Sequence, residues 1–101
     1  MEPVQIVQQE GVTHLLFSTI LGVAQARALH AQLDQALTQP LPLVLDAGRV
    51  EQVDAAAMQV LAGFHRQLRV QGTVMHWHAV SRPLRQACQL LGLSHLLSDL
   101  T

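Results

Sequence analysis

The chain has 101 residues, half of them apolar, and a formal net charge of -1, which predicts one small folded domain spanning residues 1–101. That near-neutral charge gives no field to attract nucleic acid or anionic lipid, so we expect neither as a partner. The sequence contains no lysine and no tyrosine, which excludes Schiff-base chemistry, a phosphate-loop lysine and tyrosine acid catalysis.

The first third of the chain predicts a hairpin followed by a helix. Val4 and Ile6 indicate a short first strand, and Gly11 is typical of a turn into a second strand over residues 12–17. Residues 22–38 carry apolar side chains at helical spacing, and two prolines end that helix. These helix-ending residues are Pro40 and Pro42.

The middle of the chain predicts a strand, a long helix and another strand. Residues 43–45 are apolar on both faces, which is typical of a strand covered on both sides. Asp54 opens a helix over residues 54–70, and Gly72 ends it. Residues 73–80 follow as the fourth strand.

The last part of the chain predicts a third helix and a short closing helix. Ser81 caps the third helix, Pro83 lies in its first turn, and Gly92 ends it. Its expected buried face comprises Leu84, Ala87, Cys88 and Leu91, and the closing helix contains Leu93, Leu96 and Leu97. The resulting order β-β-α-β-α-β-α-α predicts an α/β domain, with about four helices packed on one mixed four-stranded sheet.

One apolar run imitates a targeting segment. Residues 12–28 end in small residues, as an export signal does, but Glu2 and Glu10 precede the run instead of basic residues. Polar residues also interrupt it, and it is too short to cross a bilayer. We therefore expect a cytoplasmic protein without direct membrane insertion.

The helix over residues 54–70 has two apolar faces. One face, expected to pack on the sheet, comprises Ala57, Val60, Leu61, Phe64 and Leu68. A second group comprises Ala55, Met58 and Ala62, bordered by Gln59, Arg66 and Arg69. Two interpretations stay open for this second group: good helix formers on an ordinary surface, or a docking face with Met58 as an adaptable anchor.

Five segments occur in a familiar order and spacing. They are Leu43-Val44-Leu45-Asp46, Val53-Asp54-Ala55-Ala56-Ala57-Met58-Gln59-Val60-Leu61, Gln71-Gly72-Thr73, Val80-Ser81-Arg82-Pro83-Leu84 and Leu91-Gly92-Leu93. Together they resemble the STAS family of sulphate-transporter and anti-sigma-factor-antagonist domains, including its MlaB-like members. The resemblance implies a compact α/β domain that binds proteins and is not an enzyme.

The resemblance also identifies a departure from the family. Many members switch partners when a serine or threonine directly after the helix-opening aspartate is phosphorylated, and here that position is Ala55, followed by Ala56 and Ala57. We therefore predict a constitutive binder without that switch. The predicted partner-binding residues are Asp54, Ala55, Ala56, Met58, Ala62, Arg66 and Arg69.

The resemblance implies a protein partner, and three classes of partner stay open. They are an anti-sigma factor or similar kinase-like ATPase, the ATPase of a lipid-transport ABC complex, and a chemotaxis or signalling scaffold. A homodimer also stays open, and no cofactor is predicted.

Two groups of residues could each form a metal site. Asp46, Glu51 and Asp54 could supply oxygen ligands to magnesium, but a receiver-type phosphoaspartate domain also needs a lysine, and Asp54 is better explained as a helix cap. His76 and His78 share a face of a predicted strand and could hold zinc with a third ligand, but no cysteine or other histidine is obviously placed to supply it.

We expect the remaining histidines and the cysteine to have structural roles. We expect the other four histidines on strand and helix surfaces; they are His14, His30, His65 and His95. Cys88 could be a nucleophile, but its place in an apolar helical stripe favours a small core residue. A small thiol- or metal-dependent enzyme is the alternative to a protein-interaction domain.

Overall fold

The computed structural model describes residues 2–39 and 42–97. In chain order the elements are β1 (Val4–Gln9), β2 (Val12–Phe17), β3 (Ile20–Leu21), α1 (Val23–Ala36), β4 (Leu43–Ala47), β5 (Gln52–Val53), α2 (Ala55–Gln71), β6 (Met75–Val80), α3 (Arg82–Leu90) and a closing 3-10 helix (Ser94–Leu97). None of the described helices is long and apolar enough to cross a membrane.

The main sheet has four strands in the order β1-β2-β4-β6. β1 and β2 form the predicted antiparallel hairpin, whose turn holds Glu10 and Gly11 at positive φ. The β2–β4 and β4–β6 pairs are parallel. The α/β class, the mixed four-stranded sheet and the order of the main elements are confirmed; within the described residues the fourth helix is a short 3-10 helix.

One face of this sheet carries the core. Along β4, the side chains of Leu43, Leu45 and Ala47 are buried, whereas Val44 and Asp46 between them are half-buried. The strand is therefore covered fully on one side and partly on the other, so the expectation of cover on both sides holds only in part. The apolar Val44 lies on the outer face, where it is only partly covered.

The helix boundaries follow the predicted capping residues. α2 begins after Asp54 and ends at Gly72, which has the left-handed φ of 68° that glycine adopts readily. The Ser81 side chain accepts a hydrogen bond from the Leu84 N–H at 3.2 Å at the start of α3. Of the two prolines expected after α1, Pro40 lies outside the described residues.

The predicted buried face of α3 needs one correction. Leu84 and Cys88 are buried and Ala87 is half-buried, but Leu91 is 45% exposed. The helix ends at Leu90 and Leu91 is its C-cap, with φ -96° and ψ 5°. The helical stripe therefore stops before this residue, and the chain turns away toward the closing 3-10 helix.

The closing 3-10 helix is fixed to the sheet through Trp77. The indole Nε1 of Trp77 donates a buried hydrogen bond of 2.8 Å to the Leu96 carbonyl. The Trp77 ring also stacks on Phe17, with ring centroids 6.2 Å apart. These contacts hold the C-terminal end of the described chain against β6 and place it beside α2.

Candidate docking surface at the start of the second helix

A second, two-stranded sheet brings two helix N-termini together. β3 and β5 pair in parallel, Ile20 opposite Gln52 and Leu21 opposite Val53. The next residue after each strand caps a helix: Gly22 caps α1 and Asp54 caps α2. Because both strands run in the same direction, the two helices begin side by side at the same edge.

Asp54 is held in place by its own backbone and side chain. Its N–H donates to the Leu21 carbonyl at 3.1 Å, and its Oδ1 accepts from the Ala57 N–H at 3.2 Å. The predicted cap is thus confirmed. The carboxylate satisfies one of the free N–H groups of the first turn and places its charge at the positive end of the helix.

Ala55 is the first residue of α2 and is exposed, and Ala56 beside it is half-buried. The residue that follows the capping aspartate therefore presents a methyl group to solvent, where a serine or threonine would present a hydroxyl. An alanine side chain has no oxygen that could accept a phosphoryl group.

The prediction that Met58 anchors a docking face is wrong, because its side chain is 0% exposed and belongs to the core. Helical spacing alone grouped Met58 with Ala55 and Ala62, apart from the residues expected to face the sheet. In the structure, the buried arc of the helix widens to include Met58 and His65, which lie seven positions apart on one side. His65 is covered there by His95 of the closing 3-10 helix, and this also corrects the expectation that His65 lies on the surface.

Two exposed apolar side chains near Ala55 were missed by sequence reasoning. Ile20 is 46% exposed and Val23 is 71% exposed. Ile20 lies in β3, and Val23 directly follows the Gly22 cap. One feature of the sequence could have indicated their exposure: Ile20 and Val23 are large apolar residues in a segment that also contains helix-capping and turn residues. We call Ile20, Val23, Asp54, Ala55 and Ala56 the α2 entrance.

The other three predicted residues lie further along α2. Ala62 is half-buried, and Arg66 and Arg69 are exposed. They line a groove beside the closing 3-10 helix, together with His65 and three further residues. The structure therefore separates the predicted set into the α2 entrance, a buried methionine and a distal groove.

In the structure, the candidate metal ligands either accept hydrogen bonds from backbone N–H groups or are exposed. Asp46 Oδ1 accepts the Gly48 N–H at 3.0 Å, Asp54 caps α2, and His76 and His78 are both exposed on β6. Within residues 2–39 and 42–97, no group of three histidine, cysteine or acidic side chains is placed to hold a metal ion.

Cys88 is buried in the core, as the apolar stripe predicts. Burial raises the pKa of its thiol, and the positive charge of Arg85 offsets part of that rise. Because the thiolate is the nucleophilic form, this environment opposes a nucleophilic role.

A family model described as "Mlab, STAS domain" matches residues 4–98. The chain belongs to the STAS family. No curated protein matches its sequence.

Solved structures share the fold of this STAS domain. An anti-sigma factor antagonist from Mycobacterium paratuberculosis matches with a TM-score of 0.78 and 22% identity, over 93% of this chain and 80% of that chain. The anti-sigma factor antagonist SpoIIAA in its unphosphorylated form matches with a TM-score of 0.73 and 16% identity, over 97% and 88% of the two chains. The Bacillus SpoIIAA in its phosphorylated form gives a TM-score of 0.70.

A further match shows that the fold also occurs within longer chains. The structure described as Mglu matches 79% of this chain with a TM-score of 0.67 and 20% identity. The STAS domain described here spans only 20% of the length of that chain.

Proposed function

We propose that this STAS domain is a non-enzymatic, cytoplasmic protein-interaction module that regulates a partner protein by constitutive docking, in the manner of an anti-sigma factor antagonist. The observation that supports this proposal most directly is the exposed methyl group of Ala55, beside the Asp54 cap. Structural neighbours exist in phosphorylated and unphosphorylated forms. This chain offers no hydroxyl at position 55.

The α2 entrance has the composition of a small docking surface. Ile20, Val23 and Ala55 supply apolar area, and burial of such area against a partner is favourable. The partner surface must also accept the half-buried Asp54 carboxylate, which favours donor or basic groups opposite it. In this proposal the apolar residues of the α2 entrance contact the partner in place of Met58, which the sequence pattern had indicated as the anchor.

The test uses anti-sigma factors of the kinase-like ATPase class from the source organism. Each is mixed with the chain, with ATP or ADP present, and complex formation is measured by calorimetry. We expect a nucleotide-dependent complex with the wild type, and a complex with Ala55→Ser when ADP, which cannot donate a phosphoryl group to the serine, is the nucleotide present. Ala55→Glu, which puts a charge on the contact surface, should weaken binding about tenfold or more.

Mass spectrometry of the same mixtures tests the constitutive character of the binding. We expect the kinase-like partner to phosphorylate Ala55→Ser at position 55, with release of the complex, while wild-type protein stays bound and unmodified at that position. A phosphate elsewhere on the wild-type chain that abolishes binding would refute constitutive docking.

A second candidate is an accessory subunit of a lipid-transport ABC ATPase. It is favoured by the family model, whose description includes the MlaB type. Affinity purification of the chain from its source cells distinguishes the two proposals. A copurifying transporter ATPase, lost with Ala55→Glu, supports this second function; an anti-sigma factor supports the first.

A further inference from the structure

A groove of about 450 Å³ lies between the second half of α2 and the closing 3-10 helix. Arg66 and Arg69 line it from α2, and Leu93 and His95 line it from the opposite side. Residues three apart on a helix are neighbours on its surface, so the two guanidinium groups lie on the same wall.

The described lining of this groove is basic. Its lining contains two arginines and two histidines and no acidic residue, within the described part of the chain. Arg66 and Arg69 are exposed, and guanidinium groups favour carboxylates as partners.

The walls of the groove are held together by packing. The rings of His65 and His95 meet edge to face, with centroids 5.7 Å apart. The Trp77 hydrogen bond to the Leu96 carbonyl fixes the residue next to His95. The groove is therefore preformed, and an incoming segment need not order it.

Apolar surface surrounds the charged wall. Val70 lines the groove and is 76% exposed, and Leu93 and Ala62 line it and are half-buried. A simple inorganic anion would leave this area in water. A ligand that fits the whole groove therefore combines carboxylate groups with apolar neighbours.

We propose that this groove binds an acidic peptide segment with apolar flanking residues, carried by the same protein partner that docks on the α2 entrance. The identity of the protein that carries this peptide segment rests on the proposed function. Ala55, Ala62, Arg66 and Arg69 lie on one side of α2, because the spacings from position 55 are seven, eleven and fourteen. Arg66 lies about 16 Å along the helix from Ala55 at the usual rise per residue, so one partner can contact both surfaces.

The test is selection of a phage-displayed library of random peptides on the intact chain. We expect wild-type protein to enrich peptides that contain aspartate or glutamate beside leucine, isoleucine or valine. Binding of the selected synthetic peptides, measured by fluorescence anisotropy, should fall about tenfold or more in Arg66→Glu/Arg69→Glu. The matched control is Arg82→Glu/Arg85→Glu, which reverses two exposed arginines on α3 and should leave peptide affinity unchanged.

Each remaining outcome contradicts the proposal. Selected peptides without acidic enrichment, or equal peptide affinity in wild-type protein and Arg66→Glu/Arg69→Glu, would refute it. Inorganic phosphate that binds the groove as tightly as the peptides would identify a simple anion site instead.

Ala55→Glu separates this inference from the proposed function. It should weaken docking of the full partner while leaving peptide binding intact. If Ala55→Glu leaves both peptide binding and partner docking unaffected, the proposed function fails. The inference that the groove binds an acidic peptide would still be supported.

Discussion

The Asp54 Oδ2 atom lies 3.6 Å from the position that a Cβ atom on Gly22 would occupy. The residues that cap α1 and α2 are therefore in direct proximity, although they are 32 positions apart in the chain. The short β3–β5 pairing brings them together, and it ends at the same edge at which Ala55 is exposed. The geometry of the candidate docking surface thus depends on two strands of two residues each.

Asp54→Ala should destabilise the domain by about 1 kcal/mol, within the range of about 0.5–2 kcal/mol for lost N-caps. The reason is that the Ala57 N–H loses the side-chain acceptor that it has at 3.2 Å. The free energy of unfolding in urea measures the change. Asp54→Ser is the control, because serine is also a strong cap; equal stability of the wild type and Asp54→Ala would show that the observed hydrogen bond contributes nothing.

Met58→Ala should destabilise the fold by about 2–5 kcal/mol, because truncation of a buried methionine leaves a cavity. The side chain is 0% exposed, so Met58→Asp is expected to be worse, with an unpaired charge in the core. Urea unfolding and circular dichroism measure both. Met58→Leu conserves volume and should cost less than about 1.5 kcal/mol.

The control for these core variants is on the same helix. Ala55→Asp places a carboxylate on an exposed position at the helix N-terminus, where it should be neutral or slightly stabilising. A Met58→Asp variant with wild-type stability would contradict the burial described here and restore the methionine as a surface contact.

The successes and failures of the sequence-based predictions have a common physical cause. Asp54, Gly72 and Ser81 were assigned correctly because a cap acts through hydrogen bonds and φ angles within its own turn. His65 was predicted wrongly because His95, a residue distant in the chain, covers it, and Met58 was predicted wrongly because the buried arc of α2 is wider than the spacing pattern indicates. β3 and β5 were missed because two residues are too few to show the alternation that predicts a strand.

Two glycines in and after α2 should respond in opposite directions to alanine. Gly63 lies within the helix, and a Cβ atom there meets no atom within 4 Å, so Gly63→Ala should stabilise the protein by roughly 0.5–1 kcal/mol. Gly72 has φ 68°, so Gly72→Ala should destabilise it by about 1 kcal/mol, since alanine is strained in the left-handed region.

Thermal unfolding of both glycine variants gives the sign of each effect. Gly72→Asn is the control for the second variant, because asparagine tolerates the left-handed conformation better than alanine does. A stabilising Gly72→Ala substitution would be incompatible with the observed C-cap.

Cys88 should be almost unreactive in the native protein. Burial raises the pKa of its thiol above the ordinary value of 9.0, and the side chain is 1% exposed. Alkylation by iodoacetamide at neutral pH should therefore be much slower in the folded protein than in urea, with mass spectrometry as the readout. Because the folded-state pKa is raised, the contribution of the neutral thiol to stability is complete below the ordinary pKa. It is lost as the pH rises through the native pKa.

The pH dependence provides an independent check on this thiol. The free energy of unfolding of wild-type protein should fall above about pH 9 more steeply than that of Cys88→Ala, which has no group to ionise at this position. Cys88→Ala should itself be less stable at neutral pH, because it removes a buried sulfur from the core. Rapid alkylation of the native protein, together with identical pH profiles for the two proteins, would contradict a buried neutral thiol and revive the nucleophile interpretation.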